Sequence, residues 1–369
     1  MRWQLASTFA LTAMSAGCYG PDTVTCPDGI LCPKGDSCTG NTVGNLCGDE
    51  SEVTQCADTE HALCLRSTDA NEDGQPDNGL CVDKLCAPCS PELFECRYPS
   101  WTAVPSPASE LQSVWMVSPQ RAYAVGGTHI FEYDGTGWRD AATIEGTEPL
   151  LSVWALGEKT FSVGVSKQVY LDAASVTTSN PAQILRGITG TSANDLVVVG
   201  SELYGEFDGT MWTWTPLAQF EDLNDVYALS VSDVVVAVGS NGRALRRMGG
   251  TWQDLPPAGT DDLQGVWVRG ANDIYAVGVA APESGVIHHY TGGTSWEAQA
   301  LPPGTGKLGA IWGNADAIYA VGDGGAILTL ANGVWTGATV PTLRLNDVSG
   351  SGADVMAVGD GGSIWRRSR

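Results

Sequence analysis

From about residue 98 onward, short apolar runs alternate with clusters of Gly, Asp, Asn and Ser. The run Val234-Val-Val-Ala-Val238 is apolar at every position. A strand with one solvated face alternates apolar and polar residues, so an unbroken run predicts burial on both faces. The 3.6-residue period of an amphipathic helix is absent from this region. The pattern predicts many short strands joined by tight turns.

The runs belong to a repeat. A unit opens Leu-x-x-(Val/Ile), usually followed by Trp or Tyr, and passes through a turn to (Ala/Ser/Val)-Val-Gly. Its copies begin at Leu111, Leu150, Leu185, Leu223, Leu263, Leu308 and Leu345. The matching glycines are Gly126, Gly164, Gly200, Gly239, Gly278, Gly322 and Gly359. Thr189 and Ser349 replace the aromatic residue in the third and seventh copies. Start-to-start spacings run from 35 to 45 residues, and each copy reads as four strands. In the fifth, these are Leu263 to Val268, Asp273 to Gly278, Val286 to Tyr290, and the region around Trp296. A period near 40 with four strands fits a propeller blade. The fold class is therefore all-β, a seven-bladed β-propeller over 98–369.

The last copy has residues for only three strands, ending at Ser363 to Arg367. Upstream of the first copy, Tyr98 to Val104 is similar to the fourth-strand segment around Gly137-Trp138. Residues near 100–105 are expected to pair with the C-terminal strand and close the ring, removing exposed sheet edges.

These repeats resemble those of secreted bacterial seven-bladed β-propellers, in the style of photosystem-assembly-factor and Asp-box propellers. The resemblance covers about three quarters of the chain. Asp134-Gly-Thr-Gly-Trp138 and Asp208-Gly-Thr-Met-Trp212 occupy the Asp-box turn but are one residue shorter than that motif. The Gly-His and Trp-Asp marks of WD40 repeats are missing.

The N-terminal part differs in kind. All 11 cysteines lie between Cys18 and Cys96. Residues 1–17 read as a signal peptide, with Arg2 followed by a short apolar stretch. Ser15-Ala16-Gly17-Cys18 resembles the lipobox of bacterial lipoproteins, with Ser15 where Leu is usual. That resemblance implies acylation of Cys18. Ordinary cleavage to a soluble secreted protein is the alternative. Residues 18–97 then form an acidic, stalk-like, disulfide-rich domain with 15 acidic and 4 basic residues. With Cys18 lipidated, Cys26, Cys32, Cys38, Cys47, Cys56, Cys64, Cys81, Cys86, Cys89 and Cys96 make an even set for disulfides in an oxidising compartment. Without lipidation, one cysteine is free or intermolecular. Spacing does not give the connectivity.

One motif in this domain suggests a metal. Asp69, Asn71, Asp73, Gln75 and Asp77 place oxygen ligands at alternate positions of a loop, with Gly74 to allow the sharp turn. The loop resembles those of thrombospondin type 3 repeats and dockerins, which implies Ca2+ as the one cofactor. Leu80 stands where an EF-hand has an acid, and a solvated acidic turn is the alternative.

The chain carries a formal net charge of −23, which disfavours nucleic acid and anionic membrane as partners. Membrane contact is expected only through the lipid anchor, on an outer membrane or cell surface; periplasmic or secreted soluble forms are the alternatives. The four histidines are His61, His129, His288 and His289, and the adjacent pair must face opposite sides of a strand. No nucleophile elbow or zinc-protease motif is present. The aspartates before second strands (Asp195, Asp233, Asp273, Asp316 and Asp354) read as turn formers capping local N–H groups. Arg243, Arg246, Arg247, Arg344, Arg366 and Arg367 are the cations that could converge on a site. The expectation is a non-enzymatic surface protein that binds a protein or glycan. Its binding surface would lie on the loops at 140–149, 215–222, 253–262, 279–285 and 297–307, with no ligand contact assignable. A carbohydrate-active enzyme is the alternative, and a calcium-held structural envelope protein a third reading.

Overall fold

The computed structural model describes residues 101–176, 183–218, 221–229, 233–331 and 333–368 in full. Between residues 23 and 81 it describes the backbone of short paired strands. The chain divides into two units, Met1–Tyr98 and Pro99–Arg369. In the first, Ser37–Asn41 pairs with Gly44–Gly48, and Val53–Thr54, Cys64–Leu65 and Leu80–Cys81 form a small sheet. The register sets Cys38 across from Cys47 and Cys64 across from Cys81. Cys18, Cys26, Cys56, Cys86, Cys89, Cys96 and the loop from Asp69 to Asp77 lie outside the described residues.

In the second unit the described residues build seven four-stranded antiparallel sheets, one per repeat, as the periodicity predicts. Blade four is typical: Leu223–Leu229, Val234–Gly239, Ala244–Met248 and Thr251–Asp254 follow one another in sheet order. First strands touch first strands in an unbroken cycle, so they line the axis of the ring.

The second strands show why their sequence is so apolar. Val234, Val236 and Val238 pack into one core with Leu263, Val266 and Ala276 of blade five. Val235 and Ala237 pack into another with Val197 and Val199 of blade three. Alternate residues thus serve opposite neighbours, and both faces are dry.

The glycine ending each second strand has a steric cause. A Cβ at Gly126, Gly164, Gly200, Gly239, Gly278, Gly322 or Gly359 would lie 1.8–2.2 Å from a carbonyl oxygen at the entry to its own first strand. In blades two to seven the ladder register shifts just beyond this entry, after the repeat's leading residue.

Past that shift, the third residue of four repeats hydrogen-bonds the next blade, while Gly187, Gly265 and Ala310 hold that position in the others. Ser113 Oγ accepts from Val153 N at 3.3 Å, and Ser152 Oγ from Ile188 N at 3.3 Å. Asp225 Oδ2 accepts from Val266 N at 2.9 Å, and Asp347 Oδ2 from Val114 N at 2.8 Å. Two residues on, the substitutions that break the aromatic pattern make a second tier. Thr189 Oγ1 accepts from Ala228 N at 3.2 Å, and Ser349 Oγ from Met116 N at 3.0 Å.

Blade seven is composite. Leu345–Ser351, Asp354–Gly359 and Ile364–Arg367 are completed by Thr102–Ala103, with Ala103 opposite Trp365 and Thr102 opposite Arg366. Val104 N extends the pairing to Ile364 O at 2.8 Å. Side chains reinforce the seam with blade one. Asn346 Nδ2 donates to Leu111 O at 2.8 Å, and Arg366 reaches Tyr133 Oη at 2.5 Å and Pro119 O at 3.0 Å. Leu111, Val114 and Met116 share a core with Met356, Val358 and Ile364 across it.

Candidate functional site

Because strands alternate in direction, the connections from fourth to next first strand and from second to third emerge at one end of each blade. This loop face is held down from beneath. Ile144 N donates to Thr128 O, Leu217 N to Glu202 O, Leu255 N to Ala244 O and Val340 N to Gly325 O, all within 2.7–3.0 Å. Ile144, Leu255 and Val340 are buried, so these loops leave fixed cores rather than hanging free.

Of the loops singled out in the sequence, the one at 253–262 is the most engaged. Gly242 N donates to Asp261 O at 2.6 Å, and Asn241 N to Asp262 Oδ1 at 3.0 Å. Arg243 bridges Asp254 at 2.9 Å and Glu221 at 3.7 Å. From blade five, His288 Nε2 stands 2.8 Å from Asp261 Oδ2, and Trp296 Nε1 donates to Pro256 O at 2.7 Å. Lys307 in the loop at 297–307 pairs with Glu283 in the loop at 279–285 at 2.9 Å. His129 and Asp140, in the loop region at 140–149, are 2.7 Å apart. In the loop at 215–222, Asp222 accepts from Arg186 at 3.1 Å. The loop face of blades four to six is thus a fixed, mostly acidic surface in which each basic group has a local carboxylate.

The opposite, turn face carries a different pattern, and it corrects one sequence expectation. The aspartates preceding second strands mostly bind side chains from third strands rather than capping turns. Asp354 accepts from Arg366 at 2.7 Å, and Asp273 Oδ1 is 2.8 Å from His289 Nε2. Asp195 and Asp233 flank Arg247, at 3.1 and 3.2 Å, and Glu206 joins them at 3.1 Å. Asp233 also caps a turn, accepting from Gly250 N at 2.9 Å. Third strands sit beside second strands, so these positions are spatial neighbours through register that a turn propensity does not express. Burial acts to lower the Arg247 pKa and is outweighed by Asp195, Glu206 and Asp233, so its net shift is upward.

The Asp-box-like turns behave as the sequence suggests. Asp134 Oδ1 accepts from Thr136 Oγ1, Thr136 N and Gly137 N, and Asp208 makes the matching set with Thr210 and Met211. Hydrogen bonding, chiefly from the threonine hydroxyls, holds both carboxyls down at about 2.

The arginines do not converge. Arg243, Arg247, Arg344 and Arg366 each pair with carboxylates of their own or the preceding blade. Arg246 donates to Ala271 O and Asn272 Oδ1, and Arg367 lies over the Tyr319 ring. His288 and His289 face opposite sides, toward Asp261 and toward Tyr275 with Asp273. Among the described residues no group of three or more His, Cys, Asp or Glu side chains is arranged to hold a metal ion. No described helix is long and apolar enough to cross a membrane.

The axis of the ring holds what sequence reasoning missed. A cavity of about 430 Å3, counting space open to solvent, is lined by first-strand residues of all seven blades. Its walls are apolar apart from Ser113, Ser152, Ser349, Tyr227 and two carboxylates, Asp225 and Asp347. Burial raises Asp347 to about 6. Burial raises Asp225 to about 7, with Asp347 adding to the shift. The signal was in the sequence: the tetrapeptide Leu-Asn-Asp-Val occurs at 223–226 and again at 345–348. In each, the Asn donates to a leucine carbonyl of the next blade at 2.8 Å while the Asp accepts the amide beyond it.

No protein-family model matches the chain, and no curated protein matches it. Solved structures do. Virginiamycin B lyase from Staphylococcus aureus, in a catalytically inactive form with quinupristin, aligns at 10% identity with a TM-score of 0.64. It covers 73% of this chain and 99% of that one. The WD40 β-propeller domain of Doa1 aligns at 10% identity and TM-score 0.61, covering 73% and 97%. YCF48 bound to D1 peptide aligns at 14% identity and TM-score 0.58, covering 73% and 97%. At such identities the likeness extends to architecture, and the architecture is that of a seven-bladed β-propeller.

Proposed function

We propose that this protein is a non-catalytic binding or scaffolding lipoprotein of the cell surface, which presents the loop face of its propeller to a protein or glycan partner. The observation that carries the reading is the state of the ionisable groups on that face. Arg243, Lys307 and His288 are each committed to a neighbouring carboxylate, and their pairs tie loops together instead of converging on a cleft. Catalysis needs a nucleophile, base and stabilising donors around one point. A rigid ring with differing loops is suited to recognition instead. Among neighbours of the same architecture, YCF48 is known bound to D1 peptide.

The test is to probe glycan and peptide arrays with the intact chain, alongside pooled hydrolase and lyase assays. Binding without turnover, lost when the loops at 253–262 and 297–307 are replaced by short Gly-Ser turns, supports the reading. Turnover abolished by a single carboxylate or histidine substitution would overturn it.

One observation favours the second reading, an enzyme of the glycoside hydrolase or lyase kind. His288, held 2.8 Å from Asp261 on the loop face, has the geometry of a carboxylate-oriented base. His288→Ala separates the two when turnover is read beside affinity: an enzyme loses its turnover, whereas a scaffold shows none in either form.

The N-terminal part of the proposal is a lipid on Cys18, disulfides downstream, and calcium on Asp69, Asn71, Asp73, Gln75 and Asp77. Mass spectrometry of membrane-extracted protein checks the lipid. A melting temperature that falls with chelator and returns with calcium supports the metal loop, and an unchanged one removes it.

A further inference from the structure

The Leu-Asn-Asp-Val repeats clamp blade four to blade five and blade seven to blade one, on opposite arcs of the same ring. Both clamps point their carboxyl into the axial cavity. Asp225 receives amide hydrogen bonds from Val266 and Val226, and Asp347 receives them from Val114 and Val348 with a further one from the Ser113 hydroxyl. No Lys, Arg or His is among the residues lining the cavity. The remaining titratable side chain on its wall is Tyr227, whose phenol burial raises and so keeps neutral. Two carboxylates therefore face one axial space with no cation on its wall to offset them.

We propose that these clamps form a proton-operated lock on the ring: with a proton on Asp225 and on Asp347 the propeller is tightest, and losing those protons loads its axis with opposed negative charge. Protonation leaves the clamp hydrogen bonds in place, because one carboxyl oxygen still accepts the amide of the next blade. Deprotonation keeps the acceptor but adds a desolvated charge, and the second charge adds repulsion.

The sign follows from the ordinary carboxyl value. Both groups bind protons in the folded chain at pH values where the unfolded chain has released them. Their contribution to stability is full below about pH 4, declines as the pH rises, and is lost above about pH 7. Asp134 and Asp208, held low by hydrogen bonds, work in the other direction, so the lock is read from a difference between variants.

The experiment is thermal unfolding of the full chain and of its Asp225→Asn and Asp347→Asn variants at pH 5 and pH 8. Asparagine keeps an acceptor and cannot ionise. Relative to the unmodified chain, each variant is expected to gain about 5 °C between pH 5 and pH 8. An offset that is the same at both pH values would overturn the proposal. Carboxyl-13C NMR of Asp-labelled, unmodified chain gives a second reading that needs no variant to fold. Two aspartate signals titrating above pH 5 support the lock, and their absence refutes it.

Discussion

Single residues show where the repeat is obeyed out of necessity and where it is merely broken. Ser162 stands where the other blades have Ala124, Val198, Ala237, Ala276, Ala320 and Ala357, and its hydroxyl is fully buried without a hydrogen-bond partner. Ser162→Ala is therefore expected to stabilise by about 1 kcal/mol, read as a raised midpoint in denaturant unfolding. Gly239 is the reverse case. Its Cβ would sit 1.8 Å from Asp222 O, a backbone atom that cannot swing away. Gly239→Ala should cost about 3 kcal/mol, with reduced expression and a lower melting temperature as the readout. The motif glycine was legible in the sequence because it recurs, but its cause was not. A period shows that a residue is required, while only the register brings a carbonyl against it. Asp225 and Asp347 were harder still. They depart from the small residues at their repeat position, and that departure is hidden when copies are averaged.

At the scale of elements the sequence was most informative. Strand number, blade number and the double-sided burial of second strands all follow from Gly spacing and apolar runs. The misread feature was the aspartate before each second strand, since its partner lies on a third strand more than ten residues away in Asp354 and Arg366. Arg247 shows the consequence between blades. Its side chain is only 7% exposed and binds Asp195 and Glu206 of blade three as well as Asp233 of its own. Arg247→Met would leave three carboxylates facing one another. The expected loss is about 3 kcal/mol at low ionic strength, shrinking in ~1 M salt as the repulsion among the carboxylates is screened. Urea midpoints at the two salt concentrations check this, and an equal loss at both would assign Arg247 a packing role instead.

On the scale of the whole propeller, closure is the governing feature. An open array of repeats unfolds piecewise, because each unit touches only its neighbours. A ring has no terminal unit from which to fray. Val104→Pro removes the amide that bonds Ile364 O while leaving every other blade intact. The expected result is a melting transition lowered by several degrees and broadened, since blades seven and one can then part before the rest. A sharp transition merely shifted downward would show that side chains such as Asn346 and Arg366 hold the seam without the strand. The loop face, by contrast, was located in the sequence only as a set of differing segments. What those segments bind depends on loop shape, and no period constrains it.

The composite blade also sets an order of events during synthesis. Thr102–Ala103 emerges from the ribosome before any other strand of the ring, and its partner Ile364–Arg367 emerges last. Six blades can form as the chain lengthens, yet the first strand of the ring must wait through all of them with its edge bare. Completion is therefore a single late step that joins the oldest and youngest parts of the propeller. Until it occurs, the apolar flank of blade one, including Leu111 and Met116, stays open to water and to misplaced partners.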